Sequence, residues 1–300
     1  FTHGVLYLNT QKRQVEQYNG NYHKVVHEIA AQVEKEKRQN AQLAKQIQAD
    51  KEKINYFSNK GGKMRMVAKR MREDIEEAEE NKVDVRKEDK TIRPFTIEPH
   101  ADVPLEVLKL DELTVIKNHE PKQMGCDVVL KRGEHLQIIG PNGIGKTTLL
   151  EKLAGGNATG EHIADGVRIG YYRQDFSNLD FDKSVYETLM DSMREKYEEK
   201  MRAIAASFLL FGDVMKVKVG SLSEGQKGLL AFAKLTMEQP GLLILDEPTN
   251  HINFRHIPVI AKALDEYKGT MILVSHVPSF VEQIRIDEVL DLAKLKPKKK

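Results

Sequence analysis

The 300-residue sequence has no tryptophan, a single cysteine and no apolar run approaching the roughly 18 residues that span a bilayer. The lone Cys126 excludes an intramolecular disulfide framework and a cysteine-rich zinc site, and it fits a reducing compartment. An excess of one charge is missing too. Lys and Arg number 47 against 45 Asp and Glu, a formal net charge of +2. No global field forces a nucleic-acid reading, so any basic surface has to be local. The chain opens on Phe1 with no signal-like apolar stretch after it, and a piece cut from a longer protein is the expectation. Apolar residues reach only 40%, polar for a globular chain but not polar enough for wholesale disorder. At about 150 residues per domain, two folding units are expected.

What is present changes character near residue 93. Residues 1–10 read as a short apolar strand, and residues 11–93 are charged, Gln-rich and poor in aromatics. Positions 22, 26, 29, 33, 36, 40, 43, 47, 50 and 54 keep a four-three spacing. Seven are apolar (Tyr22, Val26, Ile29, Val33, Leu43, Ile47, Ile54), a heptad seam with polar breaks at Glu36, Asn40 and Asp50. Ser58-Asn59-Lys60-Gly61-Gly62 interrupts it, and a second seam follows at Met64, Val67, Met71, Ile75 and Ala78. Two seams joined by a glycine turn predict an antiparallel α-helical hairpin. Its first helix would extend roughly 50 Å, too slender an arm to hold a large core.

Charge singles out the tip. Residues 54–72 hold six bases and no acid: Lys60, Lys63, Arg65, Lys69, Arg70 and Arg72. Residues 73–89 hold nine acids against three bases. An ordinary charge run is a solvated helix face. A run without acids at the tip of a projecting hairpin points instead to a phosphate backbone. Tyr22, Tyr56 and Phe57 read as seam packing rather than base-stacking platforms.

Residues 105–292 alternate apolar strand runs, helical patterns and glycine turns, the pattern of an α/β domain. A mixed core sheet and a small helical lobe around 184–238 are expected. The run Leu136-Gln137-Ile138-Ile139 leads into Gly140-Pro141-Asn142-Gly143-Ile144-Gly145-Lys146-Thr147-Thr148 and then a helical pattern. This is the phosphate-binding loop G-x-x-x-x-G-K-T in its strand–loop–helix setting. Its glycines let backbone N–H groups close around phosphates, and the helix adds its positive end. Lys146 is expected at the β- and γ-phosphates and Thr147 on Mg²⁺.

Later, Leu242-Leu243-Ile244-Leu245 ends in Asp246-Glu247. Acids at the carboxyl end of a parallel strand face the phosphate site. Asp246 is expected to hold the Mg²⁺ shell and Glu247 to act as general base on the attacking water. Ser223-Glu224-Gly225-Gln226 opens a further helix and is a second anion-binding terminus, weak alone because serine is a common N-cap. Gln174 follows the strand-like Tyr171-Tyr172, and His276 follows the strand Ile272-Leu273-Val274-Ser275. A histidine there is as often structural as catalytic.

In this order the P-loop, Gln174, LSEGQ, LLILDEPTNH and VSH resemble the ATP-binding domain of ABC proteins over residues 105–284. NGNY at 19–22, the charged hairpin, DKTIRP at 89–94 and DEPTNH at 246–251 resemble, more narrowly, the ABC-F family. Its members carry two ABC domains joined by a helical linker and have no membrane domain. The resemblance implies an α/β P-loop NTPase fold preceded by the hairpin. Residues 1–10 would be the last strand of a first ABC domain, 11–93 the linker and 94–104 a connector. Residues 105–292 would be the second ABC domain and 293–300 a disordered basic tail.

The resemblance further implies a cytoplasmic translation factor that binds ATP and Mg²⁺. Such proteins bind the ribosome on its tRNA exit side, with the linker reaching toward peptidyl-tRNA and ribosomal RNA. ATP closes the two ABC domains, and hydrolysis releases them. Residues 140–148, Gln174 (also a metal-shell residue), Asp246, Glu247 and His276 would serve one site. Ser223, Gly225 and Gln226 would serve the other across the interface, so one ABC domain alone would be weakly active unless it homodimerised.

The sequence departs from that family's pattern. Glu224 stands for the first signature glycine, Asn253 for the usual Asp, and Val277-Pro278 for Asp-Arg. No aromatic that would stack on the base is obvious; His119 is the nearest candidate and reads equally as a simple loop histidine. Transporter ATPase subunits and DNA-associated ABC ATPases share the nucleotide motifs. The hairpin ahead of the domain opposes the first. Only 76 residues separate Lys146 from Leu222, too few for the inserted coiled coil of the second. A ribosome-binding module with a degenerate site is the non-enzymatic alternative, opposed by the intact Lys146, Asp246 and Glu247.

Overall fold

The computed structural model describes residues 4–9, 14–19, 91–117, 120–156 and 160–297, with helical residues 28, 31, 35, 38–39, 41–43, 45–54, 66–67 and 75. The chain divides into two compact units, Phe1–Asp89 and Lys90–Lys300.

In the first unit β1 (Gly4–Asn9) and β2 (Gln14–Asn19) pair antiparallel, Gly4 opposite Asn19 and Asn9 opposite Gln14. Strand β2 corrects the helical reading of the stretch that starts at residue 11. Val15 and Tyr18 suit extended backbone, and β1 satisfies the polar groups that a helix would have satisfied internally. Among the helical residues, Leu43, Ile47 and Ile54 of the first seam and Ile75 of the second pack in one apolar cluster. Residues 55–65 and 68–74, with all six tip bases, lie outside the described residues, as do Tyr22, Tyr56 and Phe57.

The second unit contains β3 (Glu106–Lys117), β4 (Glu120–Lys131), β5 (His135–Ile139), β6 (Glu161–Ile163), β7 (Ile169–Tyr172), β8 (Leu242–Asp246), β9 (Thr270–Val274) and β10 (Glu288–Asp291). Its helices are α1 (Lys146–Gly155), α2 (Val185–Ser192), α3 (Glu198–Ser207), α4 (Glu224–Glu238), α5 (Ile257–Asp265) and the short α6 (Pro278–Val281). The core sheet runs β10–β5–β9–β8–β7, every pair parallel. Antiparallel β4–β3–β6 forms a separate sheet. The expected mixed sheet is therefore two sheets. Strand β3 alternates buried and open residues, so it needs a covering layer on one face only, and the core sheet supplies it.

Strands β8 and β9 are buried at all their positions, as central parallel strands are. Alternate residues serve different cores. Leu242, Ile244, Ile272 and Val274 pack with β3, β4 and the α1 leucines. Leu243, Leu245, Met271 and Leu273 pack with the helical lobe. In that lobe α2 starts from a capping box in which Ser184 and Glu187 each accept the other's backbone N–H.

Residues 91–100 form no helix or strand and are joined to the lobe, where Arg93 N–H donates to the Ser207 carbonyl at 2.9 Å. Ile92 and Ile97 are buried there, and the Phe95 ring lies 4.6 Å from that of Phe208. Part of the expected basic tail is also held: Gly125 N–H donates to the Lys296 carbonyl, and Pro297 bridges Met124 on the sheet edge. An edge strand offers unpaired backbone groups, and the tail takes them. Cys126 is half-buried, and burial pushes its thiol up to about 11. Among the described residues no helix is long and apolar enough to cross a membrane.

Candidate active site

Four strands of the core sheet deliver the site from their carboxyl ends. Strand β5 runs into the loop 140–145, β7 leads to Gln174, β8 ends at Asp246 and Glu247, and β9 is followed by Ser275 and His276. Neighbouring parallel strands bring these ends together. They line a cavity of about 510 Å³ with Asn142, Gly143, Gly145, Lys146, Thr147, Thr148, Gln174, Asp246, Glu247 and His276 on its wall.

The loop takes its shape from Gly143 and Gly145, at φ +79° and +99°, a left-handed backbone that L side chains rarely adopt. Gly145 is also the N-cap of α1 and offers no side-chain cap. The helix therefore opens on backbone N–H groups that no cap satisfies, the arrangement that receives an anion. Lys146 is nearly buried, and its Nζ donates to the Gly140 and Pro141 carbonyls at 2.7 and 3.2 Å. Those two residues thus enter through their carbonyls. Ile144 buries its side chain in the core and contributes backbone: its carbonyl accepts from Ile116 N–H at 2.9 Å.

The two carboxylates are held differently. Burial raises the Asp246 pKa, and a hydrogen bond from Thr147 opposes the rise. Burial also raises Glu247, opposed by the His276 backbone N–H, which donates to Oε2 at 3.1 Å. The His276 ring places Nε2 3.4 Å from the other oxygen, Oε1. Glu247 sits at φ +48°, and its own N–H donates to the Val274 carbonyl. A left-handed glutamate is costly and persists only where its surroundings fix it. Here one bond to the last residue of β9 and one from the loop after it fix it.

Asp246 Oδ2 is buried with no hydrogen-bond partner. With the Thr147 hydroxyl and the Gln174 amide on the same cavity wall, the donors are all hard oxygens. That set fits Mg²⁺, which is held by one or two carboxylates together with phosphate oxygens and water. Among the described residues no cluster of three or more His, Cys, Asp or Glu offers an all-protein metal site.

Ser223, Gly225 and Gln226 stand apart from this cavity, at the start of α4. Ser223 caps the helix in a reciprocal box with Gln226, and Glu224 pairs with Lys227 at 2.8 Å. A Cβ on Gly225 would come 3.2 Å from the His251 carbonyl, so the chain after Glu247 runs close against this end. Asn250, Val274 and Ile116 line the cavity and were not singled out in the sequence. Asn250 lies within DEPTNH and was legible there. His119 lies outside the described residues.

Residues 124–250 match the ABC transporter family model. Over 288 residues the chain is 32% identical to YdiF of Bacillus subtilis (strain 168), named as an ATP-binding protein, covering 92% of this chain and 43% of that one. Over 176 residues it is 38% identical to ABC transporter F family member 2 of Arabidopsis thaliana, covering 55% of this chain and 26% of that one. The chain spans about half the length or less of these curated relatives. A dimeric ATP-binding cassette in a post-hydrolysis state with ADP and Pi superposes with a TM-score of 0.50 at 20% identity, covering 65% of this chain and 99% of that one. That likeness is one of fold. With its P-loop, paired acids and sheet order, the chain has the fold of an ABC ATPase domain, and it is similar to relatives named as ABC transporter F family members.

Proposed function

We propose that this chain is part of an ABC-F type translation factor, an ATP-driven switch on the ribosome whose helical hairpin touches tRNA or ribosomal RNA. The observation that carries the ATPase half is the convergence of Lys146, Thr147, Asp246, Glu247 and His276 on one cavity. Lys146 exchanges the two loop carbonyls for the β- and γ-phosphates. Asp246, Thr147 and Gln174 hold Mg²⁺, which neutralises charge on those phosphates when bound. Glu247, aimed by the His276 backbone, takes a proton from the water that attacks the γ-phosphorus. The bond from that phosphorus to the bridging oxygen breaks, and ADP and phosphate leave. His276 steadies the same carboxylate from its other oxygen. Ser223, Gly225 and Gln226 complete the nucleotide site of a second ABC domain, supplied in the full-length protein or by a second copy of this chain.

The ribosomal half is supported by the relatives named as ABC transporter F family members and by the acid-free tip, Lys60 to Arg72. Contacts to RNA phosphates explain why that tip excludes acids. The test pellets ribosomes with the full-length protein carrying Glu247→Gln, with and without ATP. Co-sedimentation that requires ATP, and that is lost when Lys63, Arg65, Lys69 and Arg70 are changed to Glu, is the expected result. Failure to associate under either condition overturns the ribosomal half and leaves the ATPase assignment untouched.

A further inference from the structure

We propose that Arg173 is a positioning residue of the nucleotide site: anchored to Glu151 on α1, it fixes where the Gln174 amide meets the Mg²⁺ that accompanies a triphosphate. This rests on the nucleotide reading above. Thr147 and Asp246 are each placed by secondary structure, Thr147 in the first turn of α1 and Asp246 at the end of β8. Gln174 has no such support. It lies in a turn two residues beyond the end of β7, and of residues 171–178 it alone lines the cavity of about 510 Å³. A metal ligand carried by a loop needs neighbours that aim it.

Arg173 supplies the aim. Its Nη2 donates to Glu151 Oε1, and its Nε donates to Asp175 Oδ1 at 3.1 Å. One planar guanidinium thus joins α1 to the residue that follows Gln174. Glu151 stands four positions after Thr147, one turn on along the same face of α1. That face takes Asp246 through Thr147 and Arg173 through Glu151. Parallel pairing sets Tyr172 opposite Leu245, so Arg173 and Asp246, the next residues, leave neighbouring strands side by side. The remainder of the turn is tied as well. Asp175 Oδ1 accepts from the Ser177 N–H and hydroxyl at 3.1 and 2.9 Å, and Asn178 Nδ2 donates to the Tyr171 carbonyl at 2.7 Å. The side chains of Arg173 and Glu151 are 26% and 37% exposed, and a pair so exposed adds little stability. What it fixes is direction. Charge alone predicts the opposite sign: a guanidinium beside Asp246 repels Mg²⁺, so a residue acting only by charge would tighten the metal when removed. A residue that aims Gln174 loosens it.

The test is calorimetric titration of the chain with ATP, once in Mg²⁺ and once in chelator. The ratio of the two affinities measures the share that the metal contributes. Arg173→Ala should cut that ratio about tenfold, the scale on which outer partners of a metal ligand act. Glu151→Ala should match it, since the anchor has two halves. In a Gln174→Ala background Arg173→Ala should lower the ratio no further, because its effect runs through that amide. Arg173→Lys keeps the charge but cannot grip two carboxylates in the same fork, and should cost about threefold; it carries the test if Arg173→Ala does not fold. A ratio unmoved by these variants, a ratio that rises, or an additive loss in the Gln174→Ala background would each overturn the proposal. Absence of ATP binding by the unsubstituted chain would overturn the nucleotide reading itself.

Discussion

Helix α1 starts at Gly145, a left-handed residue with no side chain to cap the helix. Helix α4 starts at Ser223, inside a reciprocal capping box with Gln226. Both helices open from loops whose composition suits an anion, yet one end is bare and the other is closed on its own side chains. The bare end has its ligand-binding partners in this chain: Lys146, Asp246 and Glu247 line the same cavity. The closed end has none of them. An end that is completed within the chain leaves its donors open, whereas an end without local ligand partners satisfies its donors itself. The loop from Glu247 to Ile252 connects the two. It begins in the cavity and ends where a Cβ on Gly228 would meet Ile252 Cδ1 at 2.5 Å.

The largest effects belong at the bare end. Lys146→Ala should reduce ATP affinity by more than about a hundredfold, since it removes the one charge aimed at the phosphates. Calorimetry reads this directly, and a loss below tenfold would break the comparison, because the bare helix end would then suffice without its lysine. Glu247→Gln in the full-length protein should lower turnover by about 10²–10⁴ while ATP still binds. Binding lost together with turnover would mean that Glu247 shapes the loop rather than the reaction.

At the closed end the expected effect is on folding. Ser223→Ala removes the cap of α4 and should cost about 1 kcal/mol. In a unit of this size that lowers the melting temperature by about 2–4 °C. Ser223→Asp, which can cap again, should restore it. No shift with either variant would show that α4 is held by its buried face alone and that the box is incidental.

The two ends also differ in their response to pH. Burial raises Asp246 and Glu247 beside α1, so the folded state holds their protons more tightly than the unfolded chain does. Between the unfolded and the raised folded pKa the native state binds more protons, and stability falls as pH rises through that window. Asp246→Asn should therefore stabilise the protein at neutral pH, and the gain should shrink as pH drops toward the ordinary carboxylate range. Melting curves of both forms across acid pH in chelator check it. An advantage that is constant with pH would mean that Asp246 is not the buried anion described here.

Much of this was legible in the sequence where chemistry demands a fixed spacing. The strand–loop–helix of residues 136–155 and the acids after Leu242–Leu245 took their expected places because both reflect local backbone needs. Pairing between distant segments was less legible. Strand β2 was read as part of a helical stretch because Gln, Glu and Val suit either backbone, and only β1 decides. The two sheets were read as one because a period of two does not say which partner lies alongside. Ile116 escaped notice because an apolar residue in a strand is expected to be core. Its outward phase shows only against the burial of its neighbours.

The smallest effect sharpens the comparison most. Glu224 stands at the first position of α4, half exposed, paired with Lys227. The Lys227 ammonium also lies 4.9 Å from the centre of the Phe181 ring, so it has a second partner if the carboxylate goes. Glu224→Ala loses one partly exposed ion pair and one favourable charge at a helix N-terminus, together about 0.5 kcal/mol. The fall in melting temperature should therefore be smaller than that of Ser223→Ala, and salt should diminish it by screening. Adding Phe181→Ala should deepen the loss beyond the sum of the two single changes, because Lys227 then has neither partner. Strict additivity in that double-mutant cycle would show that carboxylate and ring do not share the lysine. The closed end of α4 would then rest on Ser223 and Gln226 alone.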